Sequence, residues 1–169
     1  MKIILEGCEG VGKTTLAEKL VKKYNLDYVH ITNKDPNDYM FYRETMRKED
    51  VLYDRHFIGE MIYPKVFNRK GNLKKEQLRK LIKFSKNNGV VVLVLTADLD
   101  IVQKRIKERN KYKPDFILEK IPEIHKKFFN LAIECGVYLV DTSKMPFDYI
   151  CAMIENEYSW WRDSHGINE

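Results

Sequence analysis

Apolar positions in this chain switch repeatedly between short unbroken runs and helically spaced stripes. KIILE near the start reads as a buried strand, about residues 2–6, and a glycine-rich turn follows it. Leu16, Leu20 and Val21 then form the stripe of a helix from about Lys13 to Tyr24. DYVHIT, about 27–32, is a second strand. Asp35-Pro36 reads as an N-cap with proline at the first helical position, predicting a short helix to about Lys48. VLYD, 51–54, is a third buried strand, and helical material is expected from Gly59 up to the turn residues Gly71 and Asn72. Leu78, Leu81 and Ile82 mark a further helix that Asn88-Gly89 stops. VVVLVL, 90–95, is a β-branched run that must be covered on both faces. Asp98 is placed to cap a helix to about Arg109, with Leu99, Val102 and Ile106 inward. Pro122 predicts a break within 115–135 and hence two helical pieces there. VYLVD, 137–141, is a fifth strand, and Phe147, Ile150, Ile154 and Trp161 stripe a final helix.

Five strands alternating with helices predict an α/β architecture, a parallel sheet covered on both sides with ligands at the carboxyl ends of its strands. Without repeat, low-complexity tract or linker, the 169 residues are expected to form one domain, 1–169. Apolar residues at 44% suffice for a core, and no apolar run approaches the ~18 residues that span a bilayer. No leader pattern is visible at MKIILEG, so a membrane partner is not expected and a cytoplasmic setting is. Cys8, Cys135 and Cys151 form no C-x-x-C, which argues against a disulfide framework or a zinc site. The net charge of +5 suits an anionic partner, whether a small nucleotide or a nucleic acid.

Candidate chemistry begins at Gly7-Cys8-Glu9-Gly10-Val11-Gly12-Lys13-Thr14, which fits G-x-x-x-x-G-K-[ST] between a predicted strand and a predicted helix. Backbone N–H groups converge on a phosphate only where side chains do not intrude and positive φ is allowed, which Gly7, Gly10 and Gly12 provide around Val11. The helix beginning near Lys13 points its positive end at the same phosphates. Lys13 is expected to bridge the β- and γ-phosphates, Thr14 to ligate Mg²⁺ and Thr15 to add a contact, which makes ATP and Mg²⁺ the expected cofactors. Asp54-Arg55 emerges at the carboxyl edge of the third strand, where Asp54 suits the Mg²⁺ hydration shell and Arg55 a second anionic group. Arg105 and Arg109 are four apart on one helix face, and Lys107, Lys111 and Lys113 extend their charge to Pro114. This predicts a small phosphate-clamping lid, about 105–115, that excludes water from the transfer.

These segments resemble the thymidylate kinase family. EGCEGVGKTT is similar to its E-G-x-D-G-x-G-K-[ST]-T loop. DRHFIGEMIY is similar to its D-R-Y-x-x-S-x-x-A-Y segment, keeping Asp54, Arg55 and Tyr63 and carrying His56, Gly59 and Ile62 in place of Tyr, Ser and Ala. LTADLDIVQKRIKER is similar to the stretch leading into that family's lid. The resemblance implies a P-loop kinase-type, three-layer α/β/α fold with a five-stranded parallel sheet and a small lid. It implies that Arg55 holds an acceptor phosphate and that Glu9 stands for the loop Asp contacting the acceptor sugar. It makes Arg105 and Arg109 lid arginines that meet transition-state charge, because Gly10 stands where one branch carries a catalytic Arg. A homodimer is implied as well. About twenty residues separate the second strand from Asp54, fewer than thymidylate kinases use for helices lining the pyrimidine site, so the base-reading residues of that region have no counterpart here.

The leading expectation is phosphoryl transfer from Mg·ATP to a (deoxy)nucleoside monophosphate, with Lys13, Asp54, Arg55, Arg105 and Arg109 as the catalytic set and Glu9, Arg55 and Tyr63 binding the acceptor. Phe41, Tyr42 and Phe67 join Tyr63 around the expected acceptor site, where core packing is the default for each ring taken singly and stacking of one on a base is the alternative. A hydroxyl acceptor, on a deoxynucleoside or on nucleic acid, is the alternative, with Asp54 as base. A P-loop ATPase module is a further alternative. His30, His125 and His165 show no ligand spacing and are expected at the surface.

Overall fold

A computed structural model describes residues 1–109 and 115–167. Strands β1 (Lys2–Glu6), β2 (Asp27–His30), β3 (Val51–Asp54), β4 (Val90–Thr96) and β5 (Tyr138–Asp141) form one parallel sheet in the order β2-β3-β1-β4-β5. Helices α1 (Lys13–Tyr24) and α7 (Phe147–Ser164) lie together on one face, joined where the Tyr24 hydroxyl donates to Glu155 at 2.7 Å. On the other face α3 (Phe57–Val66), α4 (Lys75–Asn87) and α6 (Asp115–Cys135) pack against one another. The order reverses beside β1, so a crevice opens at the carboxyl ends of β1, β3 and β4. The three-layer α/β/α P-loop kinase fold is therefore present.

Burial follows from position in the sheet. β1 and β3 are central and entirely buried, and β4 is buried up to its last residue, whereas the edge strand β2 is mostly exposed. The core runs through Ile3, Ile4, Leu5, Leu52, Leu93 and Val94, with Leu20, Phe57, Leu81 and Phe128 from the covering helices.

Several boundaries differ from expectation. The helix foreseen from Asp35-Pro36 is instead α2 (Tyr39–Thr45), capped where Asp38 accepts from the Phe41 N–H at 2.8 Å. Asp35 is occupied elsewhere, accepting from the Thr32 N–H and hydroxyl, and Asn37 at φ 51 turns the chain out of any helix begun at Pro36. Asn37 is buried, donating to the Thr32 and Asp35 carbonyls and accepting from the Tyr42 hydroxyl. α3 starts two residues earlier than Gly59 and contains Pro64.

α6 is a single helix through Pro122, not two pieces. A proline inside a helix costs ~3 kcal/mol. Ile121, Ile124, Phe128 and Ala132 are buried along one stripe of α6, and that burial outweighs the lost hydrogen bond. Asp98 contributes its carbonyl to the first turn of α5 (Leu99–Arg109), accepting from Val102, while its carboxylate pairs with Lys144. Val102 and Ile106 are buried there and Leu99 partly so. Lys111, Lys113 and Pro114, the far part of the expected lid, lie outside the described residues.

Candidate active site

The loop after β1 takes its shape from three glycines at positive φ, Gly7 at 134, Gly10 at 80 and Gly12 at 91. A Cβ on Gly7 would stand 2.5 Å from the Leu95 carbonyl oxygen, and one on Gly10 would stand 2.7 Å from that of Val102. Glycine at 10 thus lets α5 close over the loop. Val11 is buried and its carbonyl accepts from the Thr142 hydroxyl at 2.6 Å, fastening the loop to the end of β5. Among the described residues no side chain caps α1, so its first amides face outward, with Thr14 and Thr15 exposed beside them. The Lys13 ammonium is buried and donates to the carbonyls of Gly7 and Cys8, each at 2.8 Å. Burial, then the nearby Arg55 guanidinium, pushes its pKa down.

Asp54 and Arg55 leave β3 on the same side. Asp54 is 2% exposed. Its Oδ2 accepts from the Tyr28 hydroxyl at 3.0 Å and lies 3.4 Å from His30 Nδ1, so His30, exposed as expected, also belongs to this site. Its Oδ1 is buried with no hydrogen-bond partner among the described residues. Arg55 adopts φ 71, and its N–H donates to the Leu5 carbonyl at 2.9 Å. That left-handed turn carries the guanidinium to Glu9, 3.7 Å away. A cavity of about 180 Å³ gathers Lys13, Thr14, Asp54, Arg55, Arg109, His30 and Glu9. The residues expected to hold donor phosphates and metal therefore converge on one space. An orphaned carboxylate oxygen and an exposed threonine hydroxyl on that cavity fit Mg²⁺, which takes few protein ligands and keeps its waters.

A second, larger cleft of about 530 Å³ adjoins the first, and Glu9, His30 and Arg55 border both. One face of α3 forms its wall: Gly59, Glu60, Tyr63 and Phe67 follow at helical spacing, with the Tyr63 and Phe67 rings stacked at 6.2 Å. Of the four aromatics expected here, Tyr42, Tyr63 and Phe67 line the cleft, while Phe41 packs edge-on against Tyr42. The Tyr63 hydroxyl lacks a hydrogen-bond partner among the described residues, and burial pushes its pKa up.

Glu6 orients this wall. Its buried Oε1 accepts from the N–H groups of His56 at 3.1 Å, Ile58 at 2.7 Å and Gly59 at 3.3 Å, which starts α3 at Phe57. Burial pushes its pKa up to about 7 against those bonds. Sequence reading passed over Glu6, whose signal was a charge ending a strand that is otherwise apolar after Lys2. His56 is buried as well, and burial pushes its pKa down to about 3. Thr45 spends its hydroxyl hydrogen on the Tyr42 carbonyl, so His56 Nε2 is the donor in their 2.9 Å bond and Nδ1 is left as an acceptor.

Arg105 and Arg109 do share a face of α5, next to the buried stripe of Val102 and Ile106. Arg105 donates to the Gly10 carbonyl at 3.3 Å. Both border a third cavity, about 220 Å³, with Thr15, Thr142, Met145 and Phe147. Thr142 and Met145 were not singled out in sequence, because the loop after β5 carries no motif, and Phe147 was read only as part of the α7 stripe. His125 is also tied down, Nε2 lying 2.8 Å from the Thr96 hydroxyl and 3.0 Å from the Ala97 carbonyl, whereas His165 is exposed as expected.

The family model described as novel STAND NTPase 3 (nSTAND3) matches residues 2–131, from β1 through most of α6. The chain belongs to the nSTAND3 family. That match takes in the phosphate loop, Asp54-Arg55 and α5 of this nSTAND3 chain, but not the β5–α7 loop. No curated protein matches the chain. Among solved structures, the YorR protein from Bacillus subtilis, in complex with phosphorylated GDP, is 23% identical with a TM-score of 0.78, covering 98% of both chains. Deoxyadenosine kinase from M. mycoides with bound dCTP is 19% identical with a TM-score of 0.57, covering 94% of this chain and 100% of that one. Shikimate kinase from Bacteroides thetaiotaomicron is 14% identical with a TM-score of 0.54, covering 98% of each. At these identities the likeness is one of fold.

Proposed function

We propose that this chain is a kinase transferring the γ-phosphoryl group of Mg·ATP to a nucleoside-type acceptor. The observation that carries the reading is the pair of adjoining spaces, a phosphate cavity at the loop and a ring-walled cleft beside it, sharing Arg55 at their border. Hydrolysis alone needs no second cleft. The kinases among the structural neighbours, one acting on deoxyadenosine, support the same class.

In this mechanism Lys13 leaves the Gly7 and Cys8 carbonyls to meet the β- and γ-phosphates, joined by the open amides of α1. Thr14 and Asp54 are the groups that would hold Mg²⁺, which when bound neutralises phosphate charge. Arg109 faces the transferring group and Arg105 the loop, and their planar forks suit phosphate oxygens. Glu9 holds Arg55 at the border, and Arg55 and Tyr63 bind the acceptor. A monophosphate acceptor, as the resemblance to thymidylate kinases implies, needs no base. With a hydroxyl acceptor, Asp54 stands where a base is required.

A second reading, nucleotide hydrolysis as a P-loop NTPase module, has the family match in its favour. An acceptor panel separates the two. Mg·ATP is incubated with each nucleoside, each monophosphate and a hydroxymethylated DNA, and ADP and phosphorylated product are both measured. The kinase reading expects product matched to ADP, and Lys13→Met should lower kcat by about 100-fold or more. Equal ADP release with and without every acceptor, and no product, would establish hydrolysis instead.

A further inference from the structure

Phosphoryl transfer does not account for two charged residues of the larger cleft. Glu9, His30 and Arg55 border both the cleft and the phosphate cavity, and so mark the reacting end. Glu60 and Arg69 border the cleft alone, facing whatever the acceptor carries beyond that end. Their placement is built by the chain. Asn68 at φ 49 turns it after α3, and the Arg69 N–H donates to the Pro64 carbonyl at 2.8 Å, folding Arg69 back toward the wall. The Asn72 N–H donates to Glu60 Oε1 at 3.1 Å and anchors that carboxylate. Both charges are felt by the Tyr42 phenol, also on the cleft, yet among the described residues they form no ion pair with each other. Tyr63 and Phe67 stand on the same helical face as Glu60 and offer a flat ring surface beside it.

We propose that Glu60 and Arg69 read the edge of the acceptor's nucleobase and select a base bearing an exocyclic amino group, of the cytosine, adenine or guanine type, over thymine or uracil. The proposal rests on the kinase reading above and names the substrate class of the same cleft. An ionised carboxylate only accepts hydrogen bonds and a guanidinium only donates them. The base edge between them must therefore offer an N–H and a lone pair as neighbours. Amino-bearing bases do so, through an amino group beside a ring nitrogen or, in guanine, through N–H groups beside O6. Thymine also offers an N–H beside a lone pair, at N3–H and O4, but a second carbonyl, O2, flanks that N–H where guanine has its amino group, so a carboxylate docked there also meets an oxygen. Discrimination then comes as much from the mispaired group as from the good pair.

Calorimetric titration tests this with the four deoxynucleosides and their 5′-monophosphates, in the presence of a non-hydrolysable ATP analogue and Mg²⁺, alongside turnover with ATP. The amino-bearing acceptors should bind at least about tenfold more tightly than thymidine or its monophosphate. Glu60→Gln and Arg69→Gln should each erode that ratio by about tenfold while changing thymidine binding little. Arg69 is exposed, so its variant folds even if the Glu60 variant does not. Thymine binding as well as the others, both variants weakening all bases alike, or no base binding at all would overturn the proposal. Base-selective binding without product would defeat the kinase reading and leave the base reader standing. Product formed best on thymidine compounds would do the reverse.

Discussion

Glu6 illustrates how a single residue's burial couples structure to pH. Its carboxyl is enclosed, holds three amides of the His56–Gly59 turn and has its pKa pushed from 4.5 up to about 7 by desolvation. The folded chain keeps this proton at pH values where the unfolded chain has lost it. Stability from this group is therefore present below about 4.5 and is lost as pH rises through about 7, by on the order of 3 kcal/mol. Glu6→Gln keeps an acceptor oxygen and removes the titration. Denaturant unfolding at pH 5 and pH 8 should show the wild type losing ground to the variant at the higher pH; a constant difference would contradict the linkage. The gathering of Gly10, Gly12, Lys13, Thr14, Asp54 and Arg55 on one cavity was legible at this scale because the motif fixes residue type and spacing together. Glu6, Thr142 and Glu60 were not, since a lone carboxylate or hydroxyl acquires its role only from what packs on it.

The elements were read well where one local signal dominates. β4 is mostly β-branched and apolar up to Thr96, and Asn88-Gly89 ends α4 as foreseen. Reading failed at Asp35-Pro36, where a competing local turn and the Asp38 cap won, and at Pro122, where tertiary burial outvotes local preference. α6 offers a direct test of that competition. Pro122 is exposed, so Pro122→Ala removes no core contact and restores one helical hydrogen bond. It should stabilise the chain by about 1–3 kcal/mol. The converse case is the junction of the loop with α5, where Gly10→Ala places a methyl 2.7 Å from the Val102 carbonyl and 2.9 Å from Ile106 Cγ1. Backbone strain plus this clash should cost about 2–3 kcal/mol and weaken ATP binding. Gly59→Ala, whose Cβ would meet nothing nearer than 3.4 Å, should be tolerated in the same thermal melts.

Across the whole molecule, the sheet order is what brings distant segments to one crevice. Lys13 follows β1, Asp54 ends β3, Arg109 ends α5 and Thr142 follows β5, and these positions meet only because β1 lies between β3 and β4. Ligand binding should therefore stabilise the fold globally. At a concentration 100-fold above Kd, Mg·ATP adds about 2.7 kcal/mol, or roughly 5–10 °C in Tm for a chain of this size. Omitting Mg²⁺, or replacing Asp54 by Asn, should remove much of that shift in a thermal melt, while an unchanged shift would exclude Asp54 from the metal site. Among the described residues no helix is long and apolar enough to cross a membrane.

Taken alone, the sequence determined the α/β class, the glycine turn between β1 and α1 and the place of Asp54-Arg55 at the end of β3, since each depends on neighbours within a few positions whose spacing is set by helix, strand or turn geometry. The tertiary structure decided that Glu6 starts α3, that His30 and Tyr28 brace Asp54, that α6 runs through its proline, and that Glu60 and Arg69 share a cleft. Those outcomes depend on desolvation and on contacts between residues far apart in the chain, and no local pattern encodes what a side chain will be buried against.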